Sequence, residues 1–309
     1  MAEVAVLYLV RKGNDPDMLK RFLSAYKKHM PKVSHDLIII WKNFDNTIDE
    51  IHNEIIKKVN RVDLFVPDDG YDIESYRLAI NIIEYKYICF LNSHSEPICD
   101  EWLDNMHSVL SKKNVGLVGC TGSWQSHHSL FLGVLKHVIL VTIFRKARKM
   151  SKKQSQTINK KTSSNCKREV TNAQSLLQFI LYIKNNWKYL VYVKPYPNPH
   201  IRTNAFMCEM ETLKKVDWVS RTKFECYLFE SGRKSIMNQV LNLNQQVYIV
   251  GRNKRAYSYE EWHISDIFWQ NEQSNLMIAD NQTRKYQKGN SNTRISLSWS
   301  AWQNACLRK

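Results

Sequence analysis

The first half of the chain alternates between short continuous apolar runs and longer segments with helical periodicity. Continuous apolar runs are typical of strands buried on both faces, as in a mostly parallel sheet. This alternation predicts an α/β fold, and the missing G-x-G-x-x-G after the first strand argues against a dinucleotide-binding domain. The predicted strands are Glu3–Val10, Asp36–Trp41 and Asp63–Val66, and the predicted helices run from Asp15 to about His29 and from Thr47 to Val59.

The central feature of the pattern is the segment from Tyr87 to Pro97. Five apolar or aromatic residues, Tyr87–Leu91, run directly into the polar cluster Asn92–Glu96. Ligands of open α/β sheets bind outside the carboxyl ends of the strands, and imidazole, carboxamide and carboxylate donors suit an ion such as Mn²⁺. The cluster therefore predicts a ligand or metal site, with a simple polar turn that caps a core strand as the alternative.

The second half of the pattern predicts a sheet domain interrupted by an insertion. Val115–Thr121 and Gln246–Val250 have the continuous apolar character of buried strands, and the segment Phe224–Gly232 is predicted to lead into a helix that runs through about Leu243. Between them, Leu130–Phe144 is largely apolar, a basic tract follows it, and Gln174–Tyr192 has helical periodicity. We expect the Lys152–Arg168 part of this insertion to be mobile, because it is rich in Ser, Thr, Asn, Gln and Lys.

Composition and charge limit the classes of protein to which this chain can belong. The 309 residues carry a formal net charge of +16, and the hydrophobic content of 43% is that of a folded chain. Seven cysteines, without a C-x-x-C pair, predict a reducing, cytoplasmic environment. We expect no signal peptide and no membrane span, since Val4–Val10 is short and no apolar run reaches about 18–20 residues.

The positive charge is concentrated in one tract. Between Arg145 and Arg168, ten of 24 residues are Lys or Arg, and the tract has neither acidic nor aromatic residues. A nucleic-acid reader is expected to interleave aromatic side chains, so no nucleic-acid partner is expected. An apolar helix beside such a tract can lie in the headgroup region of an anionic membrane. The alternative is a core helix followed by a mobile loop.

The central segment resembles the F-L-D-x-D segment of GT-A-type glycosyltransferases. Here it stands as Phe90-Leu-Asn-Ser-His94, so Asn92 replaces the first Asp and removes one negative charge. The resemblance implies a Rossmann-like GT-A sheet and a divalent metal, Mn²⁺ or Mg²⁺, held against the diphosphate of a sugar nucleotide. It implies His94 as a metal ligand, and His263 from the C-terminal part as a third contact, to the metal or to the diphosphate. Packing against Trp262 is the alternative for His263.

The same resemblance assigns residues to the nucleotide-sugar donor. The loop Pro67–Arg77 matches one that lines the nucleotide pocket, which implies that Asp69 or Asp72 contacts the base or ribose and that Arg77 lies near the diphosphate. A solvated acidic turn is the alternative for this loop. Trp124 is expected near the donor sugar, unless it covers the core. The full predicted donor-binding set is Val10, Arg11, Trp41, Asp69, Asp72, Arg77, Asn92, Ser93, Trp124 and Asn204.

Catalysis is assigned to an acidic residue in the Phe224–Gly232 segment. In inverting members of the family, an acidic residue near the start of the matching helix deprotonates the acceptor hydroxyl. Glu230 matches this position best, and Glu225 is the alternative base. The structural alternative is that Glu230 is a helix N-terminal charge favoured by the helix dipole.

These features together predict an inverting GT-A-type glycosyltransferase in four parts. Residues 1–126 form the nucleotide-sugar half, 127–193 the basic insertion, 194–257 the acceptor half and 258–309 a C-terminal extension. The expected partners are a nucleotide-sugar donor, a glycan or lipid-linked acceptor and an anionic membrane surface. We expect a cytoplasmic protein, peripheral on the inner membrane face. The alternative function is a degenerate GT-A scaffold that binds a membrane surface without catalysis.

Overall fold

A computed structural model describes residues 2–155 and 178–303. In these ranges a central sheet of eight strands has the order β11-β10-β6-β9-β4-β1-β2-β3. The strands of the chain are β1 (Val4–Arg11), β2 (His35–Lys42), β3 (Val62–Val66), β4 (Tyr87–Leu91), β5 (Glu96–Pro97), β6 (Val115–Gly119), β7 (Gly122–Ser123), β8 (His200–Ile201), β9 (Ala205–Glu209), β10 (Gln246–Val250), β11 (Ala256–Tyr257) and β12 (Ile278–Ala279).

The sheet is mostly parallel. Strand β1 pairs in parallel with β2 and β4, β2 with β3, and β6 with β10. Strand β9 lies antiparallel between β4 and β6, and β11 is antiparallel to β10. Two further two-stranded pairs, β12 with β5 and β7 with β8, lie outside the main sheet. The predicted α/β class is confirmed.

Helices cover the sheet, because their apolar faces have to be buried against it. One face of the sheet packs a core around Phe90, Phe206 and Trp262, and the other packs a core around Tyr8 and Trp102. The helices are α1 (Asp17–Lys28), α2 (Glu50–Ile56), α3 (Asp72–Ile80), α4 (Trp102–Leu110), α5 (His127–Ser155), α6 (Lys188–Tyr192), α7 (Met210–Leu213), α8 (Lys223–Ser231), α9 (Ile236–Asn242), α10 (Asn281–Lys288) and α11 (Ser291–Trp302).

Two elements differ from the predictions. Strand β9 was not predicted, and it enters the middle of the sheet between β4 and β6. The helix predicted to run through about Leu243 is present as α9, but the segment Phe224–Gly232, which was predicted only to lead into it, is itself helical and forms α8. A Cβ at Gly232 would lie 2.6 Å from the carbonyl oxygen of Leu228, so this tight end of α8 requires glycine.

The chain divides into two compact units. The first comprises Met1–Gln125 and Asn198–Lys309 and contains the sheet, and the second is Ser126–Pro197. The four-part division predicted from the sequence stays a prediction.

The second unit contains α5, helical residues 178–186 and α6. Its Phe131 is buried, and the Phe131 and Tyr182 rings lie with centroids 5.6 Å apart. The segment predicted to be mobile begins inside α5, since residues 152–155 are helical, and its remainder lies outside the described residues. Within 2–155 and 178–303, none of the helices is long and apolar enough to cross a bilayer.

Candidate active site

The carboxyl ends of the parallel strands and the start of antiparallel β9 meet at one edge of the sheet. Strand β4 ends at Leu91, and the backbone amide of Asn92 donates to the carbonyl oxygen of Asn204, 3.0 Å away, just before β9 begins. Strands β1 and β2 end at this edge with the basic residues Arg11 and Lys42. This edge is where ligands of open α/β sheets bind.

Lys42 is a buried lysine, with only 1% of its surface exposed, and the sequence did not single it out. Its Nζ donates to the carbonyl oxygen of Gly70 over 2.5 Å and lies 3.4 Å from Oδ1 of Asp68. The same Asp68 oxygen lies 3.6 Å from Nη2 of Arg11. A buried charge has to be paired, so Lys42 fixes the loop after β3 to the ends of β1 and β2.

Asp72, at the start of α3, is a second acidic residue near the basic ends of the strands. Burial raises the pKa of Asp72, and the positive charges of Lys42, His94 and Arg11 oppose the rise without cancelling it. Its side chain nevertheless remains exposed to solvent. Asp69 is exposed, and Asp68, which was not predicted, is the loop residue that pairs with Arg11 and Lys42.

The turn after β4 is held by its own side chains. Oδ1 of Asn92 accepts from the backbone amide of His94 over 3.0 Å and from Oγ of Ser95 over 2.9 Å. The carbonyl oxygen of Ser93, itself buried, accepts from the Tyr8 hydroxyl over 2.9 Å. The side-chain oxygen of Asn92, a residue predicted to bind the donor, therefore holds the turn together. His94 lies beside the basic ends of the strands.

These residues do not fit the predicted metal site. Two hydrogen bonds within the turn already occupy Oδ1 of Asn92. His263 lies in a 3-10 turn, Trp262–Ile264, where Nδ1 is 2.9 Å from the Glu260 carbonyl oxygen and the ring packs 5.0 Å from Trp124. Within 2–155 and 178–303, no group of three or more His, Cys, Asp or Glu side chains could hold a metal ion. A metal centre on His94 and His263 is therefore not supported.

Asn204 is a buried side chain in contact with two of the strand ends. It is 3% exposed, and its Oδ1 accepts from Oγ1 of Thr121 over 2.6 Å. Its carbonyl oxygen also accepts from Oγ of Ser95 over 2.6 Å. Nδ2 of Asn204 has no hydrogen-bond partner among the described residues. A buried donor without a partner costs roughly 1–3 kcal/mol, a cost that an acceptor group of a ligand would offset.

Glu230, near the end of α8, is joined to the same edge through Thr203. The backbone amide of Thr203 donates to Oε2 of Glu230 over 2.8 Å, and the Thr203 hydroxyl donates to the same oxygen. Buried His200 is its neighbour: burial lowers the pKa of His200, which the negative charge of Glu230 opposes. Nδ1 of His200 lies 2.8 Å from the Asn198 carbonyl oxygen, so a neutral ring with the proton on Nδ1 fits.

The C-terminal segment, residues 268–284, contacts the turn after β4, and the sequence predicted no role for it. Arg284 donates from Nη2 to the carbonyl oxygen of His94 over 2.7 Å, and its Nη1 lies 3.3 Å from Oε1 of Glu96. Arg202 pairs with fully buried Asp280 over 2.9 Å and lies over the Phe268 ring at 4.3 Å. Pairing of β12 with β5 joins the same segment to Glu96 and Pro97.

Four predicted site residues have other roles in the structure. Val10 and Trp41 are core residues, and Nε1 of Trp41 donates to Asp63 over 2.8 Å, so neither can line a donor pocket. Trp124 donates from Nε1 to the Tyr259 carbonyl oxygen and packs 5.6 Å from Trp302, which fits the alternative of packing. Glu225 forms a capping box with Thr222 at the start of α8, a structural role that satisfies both backbone amides.

Arg77 was expected near the diphosphate but lies elsewhere. Its Nε and Nη2 donate to the Glu74 carboxylate over 2.9 and 2.5 Å. It lines a cavity of about 830 Å³ that also includes Lys86, directly before β4, and Glu209, the last residue of antiparallel β9. That cavity is therefore at the amino edge of the sheet, opposite to the candidate site, and we do not assign the site to it.

Comparison with known proteins adds little to this geometry. No family model matches the chain, and no curated protein is similar to it. Among solved structures, the mannosyltransferase PcManGT from Pyrobaculum calidifontis, in complex with GDP-Man and Mn2+, aligns with a TM-score of 0.31 and 11% identity. The alignment covers 38% of this chain and 35% of that chain, so this chain matches about a third of that enzyme's length. A likeness of this size carries no argument about function.

Proposed function

We propose that the protein transfers a sugar from a nucleotide-sugar donor to an acceptor hydroxyl. The observation that carries the proposal is the carboxyl edge of the sheet, where the basic ends of β1 and β2, the turn after β4 and the start of β9 meet. Such an edge offers positive charge for a diphosphate, a buried amide for a sugar hydroxyl and a carboxylate for a proton. Precise positioning of such groups is what glycosyl transfer requires.

The donor would be held by charge and by directed hydrogen bonds. Arg11 is the exposed cation available to offset a diphosphate, with His94 beside it and the buried charge of Lys42 behind it, and Asp72 is the acceptor available for a base or ribose hydroxyl. The unpartnered Nδ2 of buried Asn204 would donate to a sugar hydroxyl. A site with buried polar groups discriminates strongly against ligands that leave those groups unpaired.

The reaction would use Glu230 as the general base. The oxygen of the acceptor hydroxyl bonds to the anomeric carbon, and the bond from that carbon to the diphosphate oxygen breaks, so that the electron pair leaves with the diphosphate. The hydroxyl proton goes to Glu230. Because Thr203 already donates twice to Oε2, Oε1 is the oxygen that would take this proton. No step is assigned to a metal ion, since the residues present do not fit one.

Binding and turnover test the proposal separately. We expect one of UDP, GDP, dTDP and CMP to raise the thermal midpoint, since a ligand at about 100 times its dissociation constant adds roughly 2.7 kcal/mol of stability. The panel is run with and without Mn²⁺, on the wild type and on His94→Ala. The wild type is expected to respond without Mn²⁺, and His94→Ala to respond less. A panel in which no nucleotide shifts the midpoint would contradict the proposal.

Glu230→Gln tests the chemical step. The substitution keeps an oxygen for Thr203 but removes the base, so turnover of the donor should fall by roughly 10²–10⁴-fold while the nucleotide shift is unchanged. Glu225→Gln is the matched control, because Glu225 lies in the same helix and serves a capping box. An equal loss of turnover in both variants would show that Glu230 is not the general base.

A further inference from the structure

The insertion, Ser126–Pro197, carries nearly all of the net charge of the protein. It contains 14 of the 45 Lys and Arg residues but only one of the 29 acidic residues, Glu169. Its formal charge is therefore +13 out of +16, which leaves the rest of the chain at +3. A charge asymmetry of this size between two parts of one chain points to an extended anionic partner for the more basic part.

The insertion also exposes apolar side chains far more often than the sheet-bearing unit. Eight large apolar residues are exposed among its 36 residues with described side chains, against eleven among 230 in the other unit. Scattered exposed apolar residues are normal on a protein surface, but a concentration of them marks an interaction site. The eight are Val134, Ile139, Leu140, Ile180, Leu181, Trp187, Val191 and Tyr192.

The two properties occur together on one long helix. Helix α5 presents exposed Val134, Ile139 and Leu140 in its first half. In its second half, six basic residues fall within residues 145–153, and at the 3.6-residue helical repeat their positions lie on roughly one half of the circumference. The six are Arg145, Lys146, Arg148, Lys149, Lys152 and Lys153.

We propose that the insertion docks the protein on the surface of an anionic lipid bilayer. Lys and Arg would lie against the negatively charged headgroups, and the exposed aliphatic and aromatic side chains would enter the boundary between headgroups and acyl chains. Each basic residue near such a surface strengthens binding roughly fivefold. This inference does not depend on the enzymatic proposal, because it involves a different unit of the chain.

A bilayer fits the chemistry better than a nucleic acid. Exposed Val, Ile and Leu side chains gain little from phosphates or base faces, whereas they gain directly from an acyl boundary. Single-strand binding would instead require aromatic stacking platforms interleaved with the basic residues, and residues 145–168 contain no aromatic residue. Trp and Tyr at 187 and 192 are side chains favoured at membrane interfaces.

Flotation of the full chain with lipid vesicles tests the inference. We expect flotation with vesicles that contain phosphatidylglycerol and little or none with pure phosphatidylcholine vesicles, and we expect added salt to weaken it. Ile139→Ser combined with Leu140→Ser should lower the partition coefficient by about tenfold or more. Ile82→Ser with Ile295→Ser is the matched control, since these residues are 63% and 67% exposed in the other unit.

A second pair of variants tests the charge. Gln in place of Arg145, Lys146, Arg148 and Lys149 should lower binding by more than about tenfold, whereas Gln in place of exposed Lys57, Lys58, Lys214 and Lys215 should change it less than about twofold. Unchanged circular dichroism and thermal midpoints establish that each variant folds. No flotation with anionic vesicles, equal losses in test and control variants, or binding to single-stranded RNA without binding to vesicles would each overturn the inference.

Discussion

At the scale of single residues, the site depends on a lysine at the end of a strand. A lysine after Asp36–Trp41 gives no sign in the sequence that it is buried, because a charged residue at a strand end is ordinarily solvated. The structure buries it by folding the loop after β3 over it, so that Gly70 and Asp68 become its partners. Burial of a charge is decided by a distant loop, which is why the sequence pattern could not predict Lys42 or Asp68.

Lys42→Met is expected to destabilise the protein by about 1–3 kcal/mol. Methionine keeps the length of the side chain but leaves the Gly70 carbonyl oxygen without its donor and Asp68 without one of its two cations. The free energy of unfolding from chemical denaturation measures the loss. Lys57→Met is the control, because Lys57 is exposed and forms a surface ion pair with Glu54, and it should change stability by less than about 0.5 kcal/mol. Equal effects would contradict a structural role for Lys42.

Asp72→Asn is expected to stabilise the protein at neutral pH. Burial raises the pKa of Asp72 in the fold despite Lys42, His94 and Arg11, so the folded state favours the protonated form. The wild type therefore loses stability as the pH rises from the unfolded pKa, about 3.9, through the folded pKa. The gain should be under about 1 kcal/mol, because the side chain keeps access to water.

The pH dependence is the critical part of that test. Denaturation curves for wild type and Asp72→Asn should separate at pH 7 and converge below about pH 3.9, where Asp72 is protonated in both states. Asp69→Asn, at the exposed neighbouring position, should not separate from the wild type. A loss of stability in Asp72→Asn at pH 7 would show that its basic neighbours outweigh burial. Stabilisation by removing a site residue is expected where function constrains the fold.

At the scale of secondary structure elements, strands made of unbroken apolar runs were predicted, and elements that are short and lie directly before a helix were missed. Strands β1, β2, β4, β6 and β10 are unbroken apolar runs, and all were predicted. Strand β9 is a five-residue run directly followed by α7, so its sequence was interpreted only as the approach to a helix. Helix α8 was missed in the same way, because the segment Phe224–Gly232 was interpreted only as the lead into the next helix.

The turn after β4 is an element completed from the far end of the chain. Its own sequence supplies the Asn92 and Ser95 bonds, but Arg284 contacts it from 190 residues away. Pairing at that separation cannot be predicted from one sequence, and this explains why the C-terminal segment had no assigned role.

Arg284→Lys is expected to loosen this turn. A lysine cannot bond the His94 carbonyl oxygen and Glu96 together with the geometry of a guanidinium. Amide hydrogen exchange at His94 and Ser95 should be about five- to tenfold faster than in the wild type, a loss of roughly 1–1.4 kcal/mol of local stability. Arg294→Lys is the control, since Arg294, on α11, also donates to one carboxylate, that of Glu272, and to one carbonyl oxygen, that of Gln287. Unchanged amide exchange in Arg284→Lys would show that the contacts of Arg284 do not stabilise the turn after β4.

At the scale of the whole molecule, the order of the strands along the chain differs from their order in the sheet. Strands β4 and β6 are separated by only 23 residues in sequence, yet they are not neighbours, because β9 lies between them. The chain leaves the sheet after β6, forms the insertion and returns for β9. The backbone amide of Asn198 donates to the Trp124 carbonyl oxygen over 3.0 Å, and β7 pairs with β8, so the chain returns close to where it left.

This order has a consequence during synthesis on the ribosome. Between Gly119 and Ala205 lie 85 residues, which take roughly 4–17 seconds to translate at about 5–20 residues per second. During that interval the nascent chain holds two apolar strand edges whose only native partner has not been made, and such edges invite aggregation. Ribosome-bound chains that stop before Ala205 should therefore be protease-sensitive across β4, and chains that extend well past Glu209 should be protected. The insertion, Ser126–Pro197, is made while those edges wait and carries +13 of the charge, and like-charge repulsion between neighbouring nascent chains would keep their open sheets apart.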